Sequence, residues 1–151
     1  MFLNEMNLLT LFGVVLIFGT PAIADELIYL HCKGKLTSKV TNTNTSEIIQ
    51  QNKGKQDKTY IIDPQRRMLM SQGGQWLNAE MIDGVLSSTG VSGQGFSTSQ
   101  ETIRMNLDPV GEYTYEQRIQ QRNISMVVDV MGTCREVDHS EIEAEFQQNQ
   151  R

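Results

Sequence analysis

Scarcity comes first in this chain. Its 151 residues include two cysteines, two histidines, three prolines and one tryptophan. His31 and His139 stand far apart and no H-x-x-x-H or C-x-x-C spacing occurs, so the ligand sets of zinc sites have no counterpart here. Basic clusters are also lacking. The formal net charge is −5, and Lys33, Lys35, Lys39, Lys53, Lys55, Lys58, Arg66 and Arg67 are scattered without interleaved aromatics. Nucleic-acid binding needs a dense basic surface and stacking platforms, so no nucleic acid is expected as a partner. The glycine-rich run "GVSGQG" at 90–95 is not followed by a helical pattern, which excludes a dinucleotide or phosphate loop. No cofactor is expected. No long helical stripe is present either.

What is present begins with an export signature. Residues 8–18 are apolar apart from Thr10 and Gly13, Pro21 follows, and Ala22 and Ala24 put small residues at the −3 and −1 positions of a cut before Asp25. That is the pattern of a secretory signal peptide over 1–24. The apolar core is too short to span a ~30 Å hydrocarbon layer. A basic residue before the core is missing, and a start at Met6 would remove Glu5 and improve the pattern. Cleavage would leave one ordinary domain over 25–136 and an acidic, polar tail over 137–151. The expected location is periplasmic or secreted, without stable membrane insertion after cleavage.

In an exported chain two cysteines read first as one disulfide. Side chains alternate along a strand. In "ELIYLHC", Ile28, Leu30 and Cys32 share a face, and in "NISMVVDVMGTC" so do Ile124, Met126, Val128, Val130, Gly132 and Cys134. Both sulfurs therefore sit on apolar faces, where a Cys32–Cys134 bridge would be buried. Its loop of about a hundred residues corresponds to roughly 4–5 kcal/mol in the chain-entropy picture. His31 falls on the opposite face or at a strand edge. Met68 and Met70 could hold Cu(I) through soft sulfur, but filling core gaps is the commoner use of methionine.

Between the cysteines, short alternating runs are separated by turn residues. "TYIIDPQRRMLMS" reads as a hairpin with Tyr60 and Ile62 on one face, and Asp83-Gly84 marks another. Ile103, Met105 and Leu107 alternate up to Asp108-Pro109-Val110-Gly111, which fits a type I turn, and Tyr113, Tyr115 and Ile119 alternate after it. The polar stretch 41–58 reads as a long loop or short helix, and the Ser/Gly-rich run 87–95 as a flexible turn or strand ends. These signals predict an all-β antiparallel meander, a small barrel or sandwich whose first and last strands are tied by the disulfide, with a short marginal helix or tail at the C-terminus.

Cys32-Lys33-Gly34, Ile62-Asp63, Gly111-Glu112-Tyr113 and Gly132-Thr133-Cys134, with the leader, resemble the small exported β-proteins of unknown function found in proteobacteria. That resemblance implies the fold and carries no activity. The Ser-Gly-x-x-Tyr motif of periplasmic lysozyme inhibitors is absent, "SGQGF" at 92–96 being a loose echo. A serine protease would need Ser92 as nucleophile, His31 as base and a supporting Asp, yet Gly93 follows Ser92 directly and the chain is too short for two barrels. Sequons at Asn44 and Asn123 are chance matches under a bacterial reading.

The expected function is a non-catalytic exported protein that binds a small molecule or an envelope protein, with Trp76, Tyr113 and Tyr115 as its candidate binding face. The alternative is a small envelope hydrolase using the turn carboxylates Asp63, Asp83 and Asp108, although Asp at a turn commonly caps its own backbone. A third reading makes the acidic tail a docking segment with an apolar patch at Ile142 and Phe146.

Overall fold

The computed structural model describes residues 26–142. The leader, the Ala24–Asp25 junction and the tail beyond Ile142, Phe146 included, lie outside the described residues. Eight strands follow one another: β1 (Ile28–Asn42), β2 (Ile48–Asp63), β3 (Met68–Ser71), β4 (Trp76–Ile82), β5 (Val85–Gln94), β6 (Ser97–Leu107), β7 (Val110–Gln121) and β8 (Ile124–Glu136). Each pairs antiparallel with the next, and β8 returns to pair with β1, closing a barrel. No helix among the described residues is long and apolar enough to cross a membrane.

Period-two alternation explains the closure. Leu30 and Cys32 of β1, Tyr60 and Ile62 of β2, Leu69 of β3, Ala79 of β4, Leu86 of β5, Ile103 and Met105 of β6, Tyr113 and Tyr115 of β7, and Val130 and Cys134 of β8 form one buried cluster. Lys33, Lys35, Arg104, Glu112, Arg118 and Asp129 take the alternate, exposed positions. Complete burial of Leu30, Ile62 and Leu69 contributes roughly 1.5–3 kcal/mol each. Cys32 stands directly opposite Cys134 in the β1–β8 ladder, and the two form the disulfide that ties the first and last strands. Such a bond suggests a non-cytoplasmic location.

At the Gly34–Gly132 pair the first and last strands approach too closely for a side chain on either residue. A Cβ on Gly132 would lie 2.0 Å from the Lys33 carbonyl oxygen. Gly132 is also the register partner of Tyr113 on its other side.

Four local expectations need correction. Residues 48–58 are strand, not loop or helix. Their polarity arises because this half of β2 runs beyond the core and pairs only with β1 among the described residues. The run 87–94 is likewise the body of β5, in unbroken register with β6 from Val85↔Asn106 to Gln94↔Ser97. The Asp108-Pro109 peptide is cis and Leu107 pairs with Val110, so the connection is a two-residue cis-proline turn rather than type I. Met68 and Met70 are half-buried on the face opposite Leu69, so Leu69 fills the core between them. The Asp83-Gly84 turn has both residues at positive φ, 50° and 76°, the backbone a tight hairpin requires.

Past β8 the chain does not fray at once. Val137 donates its N–H to the Tyr29 carbonyl at 2.9 Å, residues 139–142 make a helical turn, and the Tyr29 and His139 rings meet edge-on at 5.2 Å. Val137 and Ile142 are buried. Ile142 is therefore not part of an exposed docking patch.

Candidate functional site

The barrel's two ends differ. At the pole holding the β2–β3, β4–β5 and β6–β7 turns, the inward side chains are apolar and packed. Toward the other pole, the inward positions of β2, β5 and β6 and the next one on β7 become polar, Gln56 and Lys58, Gly90 and Ser92, Ser99 and Glu101, and Gln117, while β1 and β8 stay apolar with Leu36 and Val128 against the core.

Three tyrosines separate the two regions. Tyr60 and Tyr113 are 2.6 Å apart through their hydroxyls, and the Tyr113 hydroxyl donates to Gln56 Oε1 at 3.3 Å. Lys58 lies above this layer, its Nζ 4.8 Å from the centre of the Tyr115 ring, a favourable placement for a cation. Burial pushes Tyr113 up to about 12. Burial and the neighbouring Glu101 carboxylate raise Tyr115 to about 12. Tyr60 is raised further by burial and by Tyr113. Burial lowers Lys58, against the opposing attraction of Glu101. The phenols thus remain neutral donors over the ordinary pH range.

A lateral opening lies on the polar side of this layer, lined there by Glu101 and Gln117. Pairing between β4 and β5 runs from Ile82↔Val85 to Ala79↔Ser88 and stops there. Continued register would have joined Asn78 to Thr89 and Leu77 to Gly90. Instead the Ser88 hydroxyl donates to the Asn78 carbonyl at 2.7 Å, and the Ala79 N–H donates across to the Arg67 carbonyl. A side chain thereby takes an acceptor at the point where the ladder ends, and the seam parts beyond it. Between the lips lies a cavity of about 330 Å³, lined by Gln75 and Leu77 on one side, Gly90 and Ser92 on the other, and Ser99, Glu101 and Gln117 beneath. Gln117 Nε2 donates to Ser99 Oγ at 3.2 Å. Gly90 keeps the entrance clear, since a Cβ there would lie 3.2 Å from Glu101 Oε1.

The residues singled out from sequence are distributed unevenly around this site. Tyr113 and Tyr115 face inward in the buried layer but are not among the residues lining the cavity, whereas Trp76 follows the opposite parity from the inward Leu77, so the three do not share a face. His31 faces away from the lumen, its Nε2 2.5 Å from Asp57 Oδ1, with Lys33 Nζ 3.5 Å from the other oxygen. Ser92 is on the β5 lip, with no histidine among the cavity's lining residues. Asp63 Oδ1 accepts from the Arg66 N–H at 2.9 Å, and Asp83 and Asp108 stand in turns at the packed pole. Sequence reasoning missed Lys58, Glu101 and Gln117. Their signal was available: each continues the inward parity of a recognised core position, Tyr60, Ile103 and Tyr115 respectively.

A closed eight-stranded meander barrel with one packed end and a polar, laterally opened lumen is thus the class this chain defines. Comparison with protein-family models, curated proteins and solved structures found no match.

Proposed function

We infer that this is an exported, non-catalytic binding protein of the cell envelope whose ligand, a small molecule or a segment of an envelope protein, sits in the cleft between β4 and β5. The observation that carries the reading is the parted seam over a polar lumen, a concavity near the lower end of the roughly 300–1,000 Å³ range of ligand sites. Barrel mouths are common locations for such sites. Supporting the export element are the disulfide and the leader pattern at 1–24. The apolar-in, charged-out alternation is the reverse of a lipid-facing barrel, in keeping with a protein free of the bilayer after cleavage.

The test is a ¹⁵N–¹H correlation spectrum of the protein titrated with two fractions of its source cells' envelope, one of low molecular mass and one of solubilised protein. Shifts confined to Gln75, Leu77, Gly90 and Ser92, absent from a folded Ser92→Trp variant with a filled cleft, are expected. Shifts equal in both proteins would remove the cleft as the seat.

A further inference from the structure

Besides the three residues Trp76, Leu77 and Asn78 of β4, the barrel leaves two long strand edges with one neighbour each among the described residues, on β2 and β5, and they are treated differently by the sequence. On β2 the one-sided stretch runs from Ile48 to Lys58 and carries Lys53, Lys55, Asp57 and Lys58. Charged residues, lysine above all, are how natural sheets discourage further strand pairing. On β5 the one-sided stretch is Thr89, Gly90, Val91, Ser92, Gly93 and Gln94. It has no charge, no proline and no bulge, since its register with β6 is unbroken. Every protective device present on one edge is missing from the other.

The β5 edge also borders the cavity. Its inward residues, Gly90 and Ser92, are small and leave room, while Val91 on the outer face is 75% exposed. Glu101 is the one charged side chain among the cavity's lining residues. Its carboxylate also attracts the Lys58 ammonium and meets the Tyr115 hydroxyl, so a further donor would share it with them, and the chain as a whole is acidic.

We propose that β5 is a docking edge for an extended peptide, which adds to residues 89–94 as an antiparallel or parallel strand and inserts a cationic, hydrogen-bond-donating side chain toward Glu101. This rests on the cleft being the binding seat and names its occupant. Main-chain hydrogen bonds to the open edge supply affinity, and the alternate side chain that enters the cavity supplies selectivity. The outward neighbours of that side chain lie beside Val91, so the matching peptide alternates apolar and polar residues.

The probes are acetyl-Thr-Val-Lys-Val-Thr-Val-amide, its Leu and Glu counterparts at the third position, and two alternately N-methylated forms of the Lys peptide. Amide exchange and ¹⁵N–¹H shifts of the full mature chain are read to millimolar peptide. The Lys peptide is expected to slow exchange of alternate amides within 89–94 and to bind at least roughly tenfold more tightly than the Glu peptide, about 1.4 kcal/mol. One N-methylated form should lose binding and the other keep it, because only one edge of an added strand faces β5. In Glu101→Gln the Lys-over-Glu preference should shrink while N-methyl sensitivity persists.

Binding that survives both N-methylations overturns strand addition, and equal binding of Lys and Glu peptides overturns the role of Glu101. Amides already slow in 89–94 together with a dimer in sedimentation would show that a second copy covers the edge. Absence of any effect from the peptides, with cleft shifts still produced by envelope fractions, sinks this proposal and leaves the binding reading standing; absence of both sinks the two together.

Discussion

Tyr113 connects the packed and the polar parts of the lumen through one hydroxyl, which meets Tyr60 and Gln56. Tyr113→Phe leaves the buried Tyr60 hydroxyl without that partner and should cost about 1–2 kcal/mol in urea unfolding, with little change in fold. The raised phenols also set a limit at high pH. Unfolded, these tyrosines ionise near 10; folded, Tyr113 and Tyr115 hold their protons to about 12 and Tyr60 beyond. The folded state then binds more protons than the unfolded, so their contribution to stability is complete below pH 10 and is lost as pH rises through about 12. Lys58, lowered by burial, acts in the reverse sense below its ordinary 10.5. Ultraviolet titration is expected to show Tyr60, Tyr113 and Tyr115 ionising late, with base unfolding following; ionisation of these three near 10 in the folded protein would contradict the buried layer. Gly132 is the other residue with a sharp expectation. Its Cβ would fall against the Lys33 carbonyl, so Gly132→Ala should cost about 3 kcal/mol, at the upper end of overpacking penalties.

The strands show how far a pattern can be read and where it stops. Wherever an inward face meets the core, alternation was legible: Leu30 and Cys32, Tyr60 and Ile62, Ile103 and Met105, Tyr113 and Tyr115 all point as their spacing predicts. Asp83-Gly84 was legible because its chemistry demands positive φ. The first half of β2 and the second half of β5 were not, since neither face of those segments meets the apolar core and their composition follows solvent instead of the fold. The cleft was illegible for the same reason. It is made by the end of a ladder, and nothing in "NAEMIDGVLSST" announces that Ser88 will bond Asn78's carbonyl in place of continued pairing. Ser88 is buried, so Ser88→Ala should leave that carbonyl unpaired, cost about 1–2 kcal/mol, and speed amide exchange in β4 ahead of β8. Unchanged exchange and stability would mean that the hydroxyl does not hold the seam.

For the whole molecule, closure depends on one junction between distant parts of the chain, the β1–β8 ladder, locked by Cys32–Cys134 over a separation of 102 residues. Reduction, or Cys134→Ala with Cys32→Ala, should lower stability by roughly 4–5 kcal/mol on the chain-entropy estimate, comparable to the net stability of a small domain. Chemical denaturation with and without reductant measures it; a change under 1 kcal/mol would mean that the ladder alone closes the barrel. The disulfide and the all-β class were visible from two cysteines on apolar faces, and the barrel was one of the two forms expected, but the number of strands was not, because half of β2 and half of β5 lack the composition of a strand.

That same junction sets an order in time. Seven of the eight ladders join strands adjacent in sequence, so each hairpin can form as soon as its second strand exists. The eighth joins β1 to β8, Ile124–Glu136, at the other end of the chain. Without β8 both β1 and β7 would have an unpaired edge, the kind of edge that invites association between chains, so closing the barrel also removes that hazard.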